Sequence, residues 1–143
     1  HLTLRFIGDV NPRDATDLDA ALSTIIEPVF AMRCCGIGHF GKGKKVRALW
    51  VGTAPNEGLS RLQDKVERAA LRTGFVDEGR KFRPHITIAR FRGRNPRNLG
   101  GYLSANGAFS SALFIVSSFT LFESYMGYGG PHYIPLNNYH LIA

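Results

Sequence analysis

No stretch of this chain approaches the ~20 consecutive apolar residues that a membrane-spanning helix needs, so no membrane partner is expected. Cysteine is almost missing: the 143 residues hold 2, and they are neighbours, Cys34 and Cys35. Adjacent cysteines rarely bridge each other, and two thiolates at this spacing do not make a zinc site. The pair is read as reduced. The first residues look like a strand and not like a basic-then-apolar leader, which makes a cytoplasmic location the expectation. Acidic side chains are also scarce: 11 Asp and Glu stand against 18 Lys and Arg, a formal net charge of +7. That balance favours a polyanionic partner. Tryptophan occurs once, at position 50, and is read as core.

The length and a hydrophobic content of 44% suit one soluble domain with a sizeable core, expected to act as a monomer. The cations cluster at Lys42, Lys44, Lys45 and Arg47, at Arg80, Lys81 and Arg83, and at Arg90, Arg92, Arg94 and Arg97. They suit solvated loops or a rim that attracts phosphate.

Two segments look like copies of each other. His1-Leu2-Thr3-Leu4 and His85-Ile86-Thr87-Ile88 both read His, apolar, Thr, apolar. Chance yields roughly 0.05 such matches in a chain of this composition, so two are far above the false-positive level of a short motif. Side chains alternate across a strand. Each copy therefore buries its aliphatic residues and shows an imidazole and a hydroxyl on the other face. Two such strands side by side supply two imidazoles and two hydroxyls, the parts needed for phosphate ester chemistry. Neither motif contains a carboxylate and threonine is a poor zinc ligand, so neither a metal nor a cofactor is expected.

Periodicity and punctuation organise the rest. Residues 1–7 read as a strand, and 12–26 as a helix stopped by Pro28. A strand over 29–37, a glycine-rich loop over 36–43 and a strand over 46–52 come next. A helix opened by Asn56 runs toward Gly74, and residues 85–91 form a strand. A weak helix from Asn95-Pro96 to about Asn106 follows. The chain closes on strands over 113–123 and 132–142, joined by a glycine-rich turn. This order predicts an α+β fold made of duplicated β-α-β-β units. They would form two lobes of antiparallel sheet, with helices outside and a central active-site cleft.

The chain resembles the 2H phosphoesterase superfamily, named for its paired His-x-Thr-x motifs. Within it, the match is to the RNA 2′,3′-cyclic phosphodiesterases, also called LigT-like or 2′-5′ RNA ligases. The resemblance runs through all of residues 1–143, including Phe82-Arg83-Pro84 before the second motif, Leu49-Trp50-Val51-Gly52, Phe119–Ser124 and Gly130–Tyr133. Members carry a strand and a helix ahead of the first motif, and these are expected to be missing from this single two-lobed domain.

The resemblance implies metal-independent opening of RNA 2′,3′-cyclic phosphate ends to 2′-phosphates, with RNA ends or cyclic nucleotides as partners. It assigns His85 as general base toward water and His1 as general acid toward the leaving oxygen; the symmetric motifs do not decide that direction by themselves. Thr3 and Thr87 would hold the phosphate, supported by Arg90. The parity of Arg90 is opposite to that of His85, so a bulge or the strand end must redirect it. Arg5 is a weaker phosphate candidate, and Phe40 a weaker candidate for stacking on a base. His39, His132 and His140 have no matching threonine and are read as structural. The two catalytic rings are expected ~5–8 Å apart, close enough to share one phosphate. Reversible 2′-5′ joining of RNA and non-catalytic binding of RNA ends are the alternatives.

Overall fold

The computed structural model describes residues 1–143. The chain forms two compact units, each assembled from three segments. Unit 1 comprises His1–Leu4, Ala31–Asn56 and Lys81–Phe114, and unit 2 comprises Arg5–Phe30, Glu57–Arg80 and Ile115–Ala143. Strand pairs within the units are antiparallel, in keeping with the α+β expectation. No helix is long and apolar enough to cross a membrane.

Unit 1 is built on a sheet in the order β2-β3-β4, from β2 (Cys34–Lys42), β3 (Lys45–Thr53) and β4 (His85–Arg90). The N-terminal residues lie beside β4 through an antiparallel bridge between Leu2 and Ile86. Residues 1–7 do not form the expected strand; Leu2 alone is bridged, and the unit boundary falls right after Leu4. α3 (Leu99–Asn106) packs on β2. It begins four residues later than expected, because the Asn95 side chain is used elsewhere. The glycine-rich segment read as a loop belongs to β2 instead. Two glycines make that possible. Gly41 has φ 101° at a register shift, where a Cβ would sit 2.2 Å from the Lys45 carbonyl oxygen. Gly38 lies under the indole of Trp50, where a Cβ would come within 2.2 Å of the ring.

Unit 2 holds α1 (Pro12–Ser23), α2 (Glu57–Arg72) and the ribbon of β6 (Ser118–Gly127) and β7 (Gly130–His140). Asn11 caps α1 by accepting the Asp14 N–H at 2.9 Å, with Pro12 in the first turn. Leu59, Leu62, Val66, Ala69 and Ala70 form the buried stripe of α2, the 3–4 residue spacing legible in the sequence. Buried Glu27 accepts from Arg61 Nε at 2.9 Å and from Lys65 Nζ at 2.6 Å, which ties its segment to α2. Asp19 on α1 accepts from Asn137 Nδ2 at 2.8 Å and from the Tyr139 hydroxyl, which fixes β7 on the helix. The expected 113–123 strand is split into β5 (Phe114–Val116) and β6, and the expected turn shrinks to Tyr128 and Gly129. β1 (Phe30–Met32), like β5, is three residues long and lies where the chain passes from one unit to the other.

Candidate active site

Both His-x-Thr-x motifs belong to unit 1. The first motif lies beside β4, the strand that carries the second. The register is set by the Leu2–Ile86 bridge. In an antiparallel pair, residues flanking a bridged pair face each other crosswise. That pattern would set His1 opposite Thr87 and Thr3 opposite His85. Directly opposed side chains share a face, and alternation sends Leu2 and Ile86 to the other one. Ladder geometry about this bridge would make the two histidines diagonal neighbours on that face, roughly 7–8 Å apart.

Pairing of β4 with β3 extends the same face. His85 is opposite Gly52, Thr87 opposite Trp50, and Arg90 opposite Ala48. Positions 48, 50 and 52 of β3 share one face, so Arg90 joins His85 and Thr87 although an odd number of residues separates it from the histidine. The register shift between Leu49 and Trp50 leaves Ile88 as the extra residue that makes this possible.

The ring of His85 is held on several sides. Its Nδ1–H donates to the Arg83 carbonyl at 2.7 Å. A carbonyl can only accept, so this contact places the proton on Nδ1 and leaves Nε2 for chemistry. Phe40 and the imidazole meet in a T-shaped arrangement with centroids 4.9 Å apart, and Trp50 lies 6.3 Å away. His39, Phe40, Trp50, Thr53, Arg83, Pro84 and His85 line a pocket of about 360 Å³.

Trp50, expected in the core, is found over the site. Its parity with Gly52, and the glycine opposite it on β2, are the signals in the sequence. The indole Nε1–H is buried without a hydrogen-bond partner, a donor placed beside His85. His39 also lines the pocket. His132, by contrast, stacks on Tyr125 in unit 2 at 5.4 Å, and His140 lies in β7.

Arg5 goes elsewhere. It belongs to unit 2, its side chain is 6% exposed, and it is paired with Glu67 at 3.1 Å while donating to the Val76 carbonyl. Those commitments make it a structural cation. All the carboxylates of the chain lie in unit 2, so His1, Thr3, His85, Thr87 and Arg90 stand in a unit with no Asp or Glu. Two imidazoles flanked by hydroxyls and a guanidinium can bind a phosphate and move a proton on either side of it.

Comparison with known proteins places these features in a family. The chain is 36% identical over 135 residues to an RNA 2′,3′-cyclic phosphodiesterase from Aeropyrum pernix, covering 93% of this chain and 77% of that protein. A protein of the same name from Geobacillus stearothermophilus is 33% identical, over 88% of this chain and 40% of its own length. Among solved structures, Escherichia coli LigT complexed with 3′-AMP superposes with a TM-score of 0.75 at 27% identity, covering 99% of this chain and 76% of that one. The model of the 2′-5′ RNA ligase superfamily matches residues 1–125, both motifs included, and the chain belongs to that superfamily.

Proposed function

We propose that this chain hydrolyses the 2′,3′-cyclic phosphate ends of RNA to 2′-phosphate ends. The observation that supports the reading is the antiparallel bridge between Leu2 and Ile86, which brings the first His-x-Thr-x motif beside the strand that carries the second. The name shared by the Aeropyrum and Geobacillus relatives supports the choice of substrate.

Water attacks phosphorus in line with the 3′ oxygen. His85 Nε2 takes the proton of that water, and the Nδ1–H bond to Arg83 holds the tautomer that can do so. As the P–O3′ bond breaks, His1 gives a proton to the departing oxygen. Thr3, Thr87 and Arg90 donate to the non-bridging oxygens as their charge grows. Phe40, 38% exposed and packed on His85, offers an apolar surface to the adjoining nucleoside. The mechanism uses no metal, and the donor set fits that, being imidazole and hydroxyl without carboxylate. The family's other named activity, 2′-5′ ligation, follows from the same geometry when a 5′-hydroxyl replaces water.

The test is incubation with a nucleoside 2′,3′-cyclic phosphate in EDTA, with products read by 31P NMR. A 2′-phosphate is expected as sole product. A 3′-phosphate, or activity that EDTA abolishes and a divalent ion restores, overturns the mechanism; binding without turnover makes the chain a binder of RNA ends.

A further inference from the structure

We propose that the basic segments 42–47 and 90–97 form one docking platform for the phosphate backbone of single-stranded RNA, and that Asn95 holds the platform together. This rests on the functional reading above and extends it from the reacting end to the body of the strand.

The hairpin of β2 and β3 overruns β4. Pairing of β3 with β4 ends at Ala48 opposite Arg90, which leaves residues 45–47 overhanging. The chain after β4 turns to cover that edge. The Phe91 N–H donates to the Arg47 carbonyl at 2.7 Å. Asn95 then bonds twice: its Oδ1 accepts the Val46 N–H at 2.8 Å, and its Nδ2 donates to the Gly43 carbonyl at 2.8 Å. One carboxamide satisfies a donor and an acceptor at the hairpin tip, as a neighbouring strand would.

The clamp has an electrostatic consequence. Every Lys and Arg of both segments is exposed, and no Asp or Glu exists in unit 1 to pair with them. Concentrated like charge destabilises a compact state. A dedicated pair of hydrogen bonds nonetheless draws the two basic segments to one end of the sheet, where a polyanion would relieve the repulsion. Position follows from the strand. Gly52 is opposite His85 and Lys45 begins β3, a run of roughly 23 Å at 3.3 Å per residue. A lone cyclic nucleotide at His85 cannot reach the hairpin tip, whereas a strand of several nucleotides can.

The experiment compares a nucleoside 2′,3′-cyclic phosphate with a single-stranded RNA of about ten nucleotides ending in one. Wild type is tested beside Lys44→Ser/Lys45→Ser and Asn95→Ala over a range of KCl. Wild type is expected to favour the oligomer in kcat/KM by at least about tenfold at low salt. The lysine variant should lose most of that preference, with the log–log salt slope reduced by ~0.7 for each phosphate that is no longer neutralised. Asn95→Ala should also lose it, although no charge has changed. Both should keep wild-type kcat/KM on the mononucleotide. Folded variants that retain the oligomer preference and its salt slope overturn the platform. Binding of a 3′-phosphorylated RNA oligomer, followed by fluorescence anisotropy, separates this from the catalytic proposal: if wild type turns over neither substrate, the functional reading falls, and the platform still stands or falls on whether the variants weaken binding. Tighter binding of a duplex of the same length overturns the single-strand assignment.

Discussion

All 11 Asp and Glu residues lie in unit 2, while unit 1 has eleven of the 18 Lys and Arg and no carboxylate at all. Unit 2 pairs some of its charges internally. Arg5 is held by Glu67, and Glu27, 1% exposed, is held by Arg61 and Lys65. Unit 1 leaves its cations without an internal counter-charge and holds both motif histidines. The net charge of +7 is the remainder of these two opposed patterns and conceals both. A positive protein is not in itself a phosphate binder, but an acid-free unit that holds both His-x-Thr-x motifs among its cations suits an anion.

The sharpest way to break the comparison is to remove chemistry from unit 1 without touching its fold. His85→Ala and His1→Ala should each lower turnover of a 2′,3′-cyclic phosphate by ~10²–10⁴-fold, the range for a general acid or base. Thr3→Val and Thr87→Val should cost less and act mainly through KM. Retained activity in folded His variants, measured by initial rates beside a thermal melt, would mean that the shared face is not the catalytic one.

The reverse experiment strikes unit 2. Glu27→Gln should lower stability by about 1.5–3 kcal/mol, the worth of hydrogen bonds to a charged group. The loss stays below that of a fully buried pair because Arg61 and Lys65 remain 52% and 37% exposed and can return to solvent. Urea melts should move while kcat on the mononucleotide does not. Acid sharpens the same point. Burial pushes the Glu27 carboxyl up, but hydrogen bonds and charge from Lys65 and Arg61 outweigh it and hold it below its usual 4.5. The Tyr139 and Asn137 hydrogen bonds hold Asp19 below 3.8 in the same way. A depressed carboxylate contributes stability that is present above its unfolded value and is lost as pH falls through the folded one. The protein should weaken as pH drops below about 4.5, less steeply in Glu27→Gln.

Gly38→Ala tests how the site face is shaped. The added Cβ would meet the Trp50 ring at 2.2 and 2.4 Å, so the indole must shift, and His85 lies 6.3 Å from that ring. A fall of about tenfold in kcat/KM is expected, of the order that overpacking and small misplacement cause. An unchanged enzyme would show that Trp50 is not part of the site.

Much of this architecture is legible in the sequence. The buried stripe of α2, the cap at Asn11 and the paired motifs all follow from local chemistry, since periodicity and capping are properties of a few neighbouring residues. What the sequence hides depends on pairing. The strand character of the Gly36 to Lys42 stretch comes from β3 running beside it and from Trp50 covering Gly38. The direction of Arg90 depends on one extra residue in β4. Arg5, on strand parity a companion of His1, is drawn away by Glu67, 62 positions along the chain. Asn95 reads as a helix start and is instead a clamp on a hairpin 49 residues distant.

The smallest expected effect is also the most direct probe of how the two charge patterns balance. Screening reaches from a Debye length of about 30 Å at 0.01 M salt to about 8 Å at 0.15 M. Exposed cations in unit 1 are screened strongly over that range, whereas the Glu27 cluster, its carboxylate buried, is screened little. Added KCl should therefore relieve repulsion more than it weakens attraction. The melting temperature should rise by about 2–4 °C, roughly what 1 kcal/mol yields at this size. Lys44→Ser/Lys45→Ser should melt higher than wild type at low salt and gain less from KCl, because part of the repulsion is already gone. A melting temperature that falls with salt would mean that the ion pairs of unit 2 dominate, and that the concentration of cations in unit 1 carries no energetic cost for a polyanion to relieve.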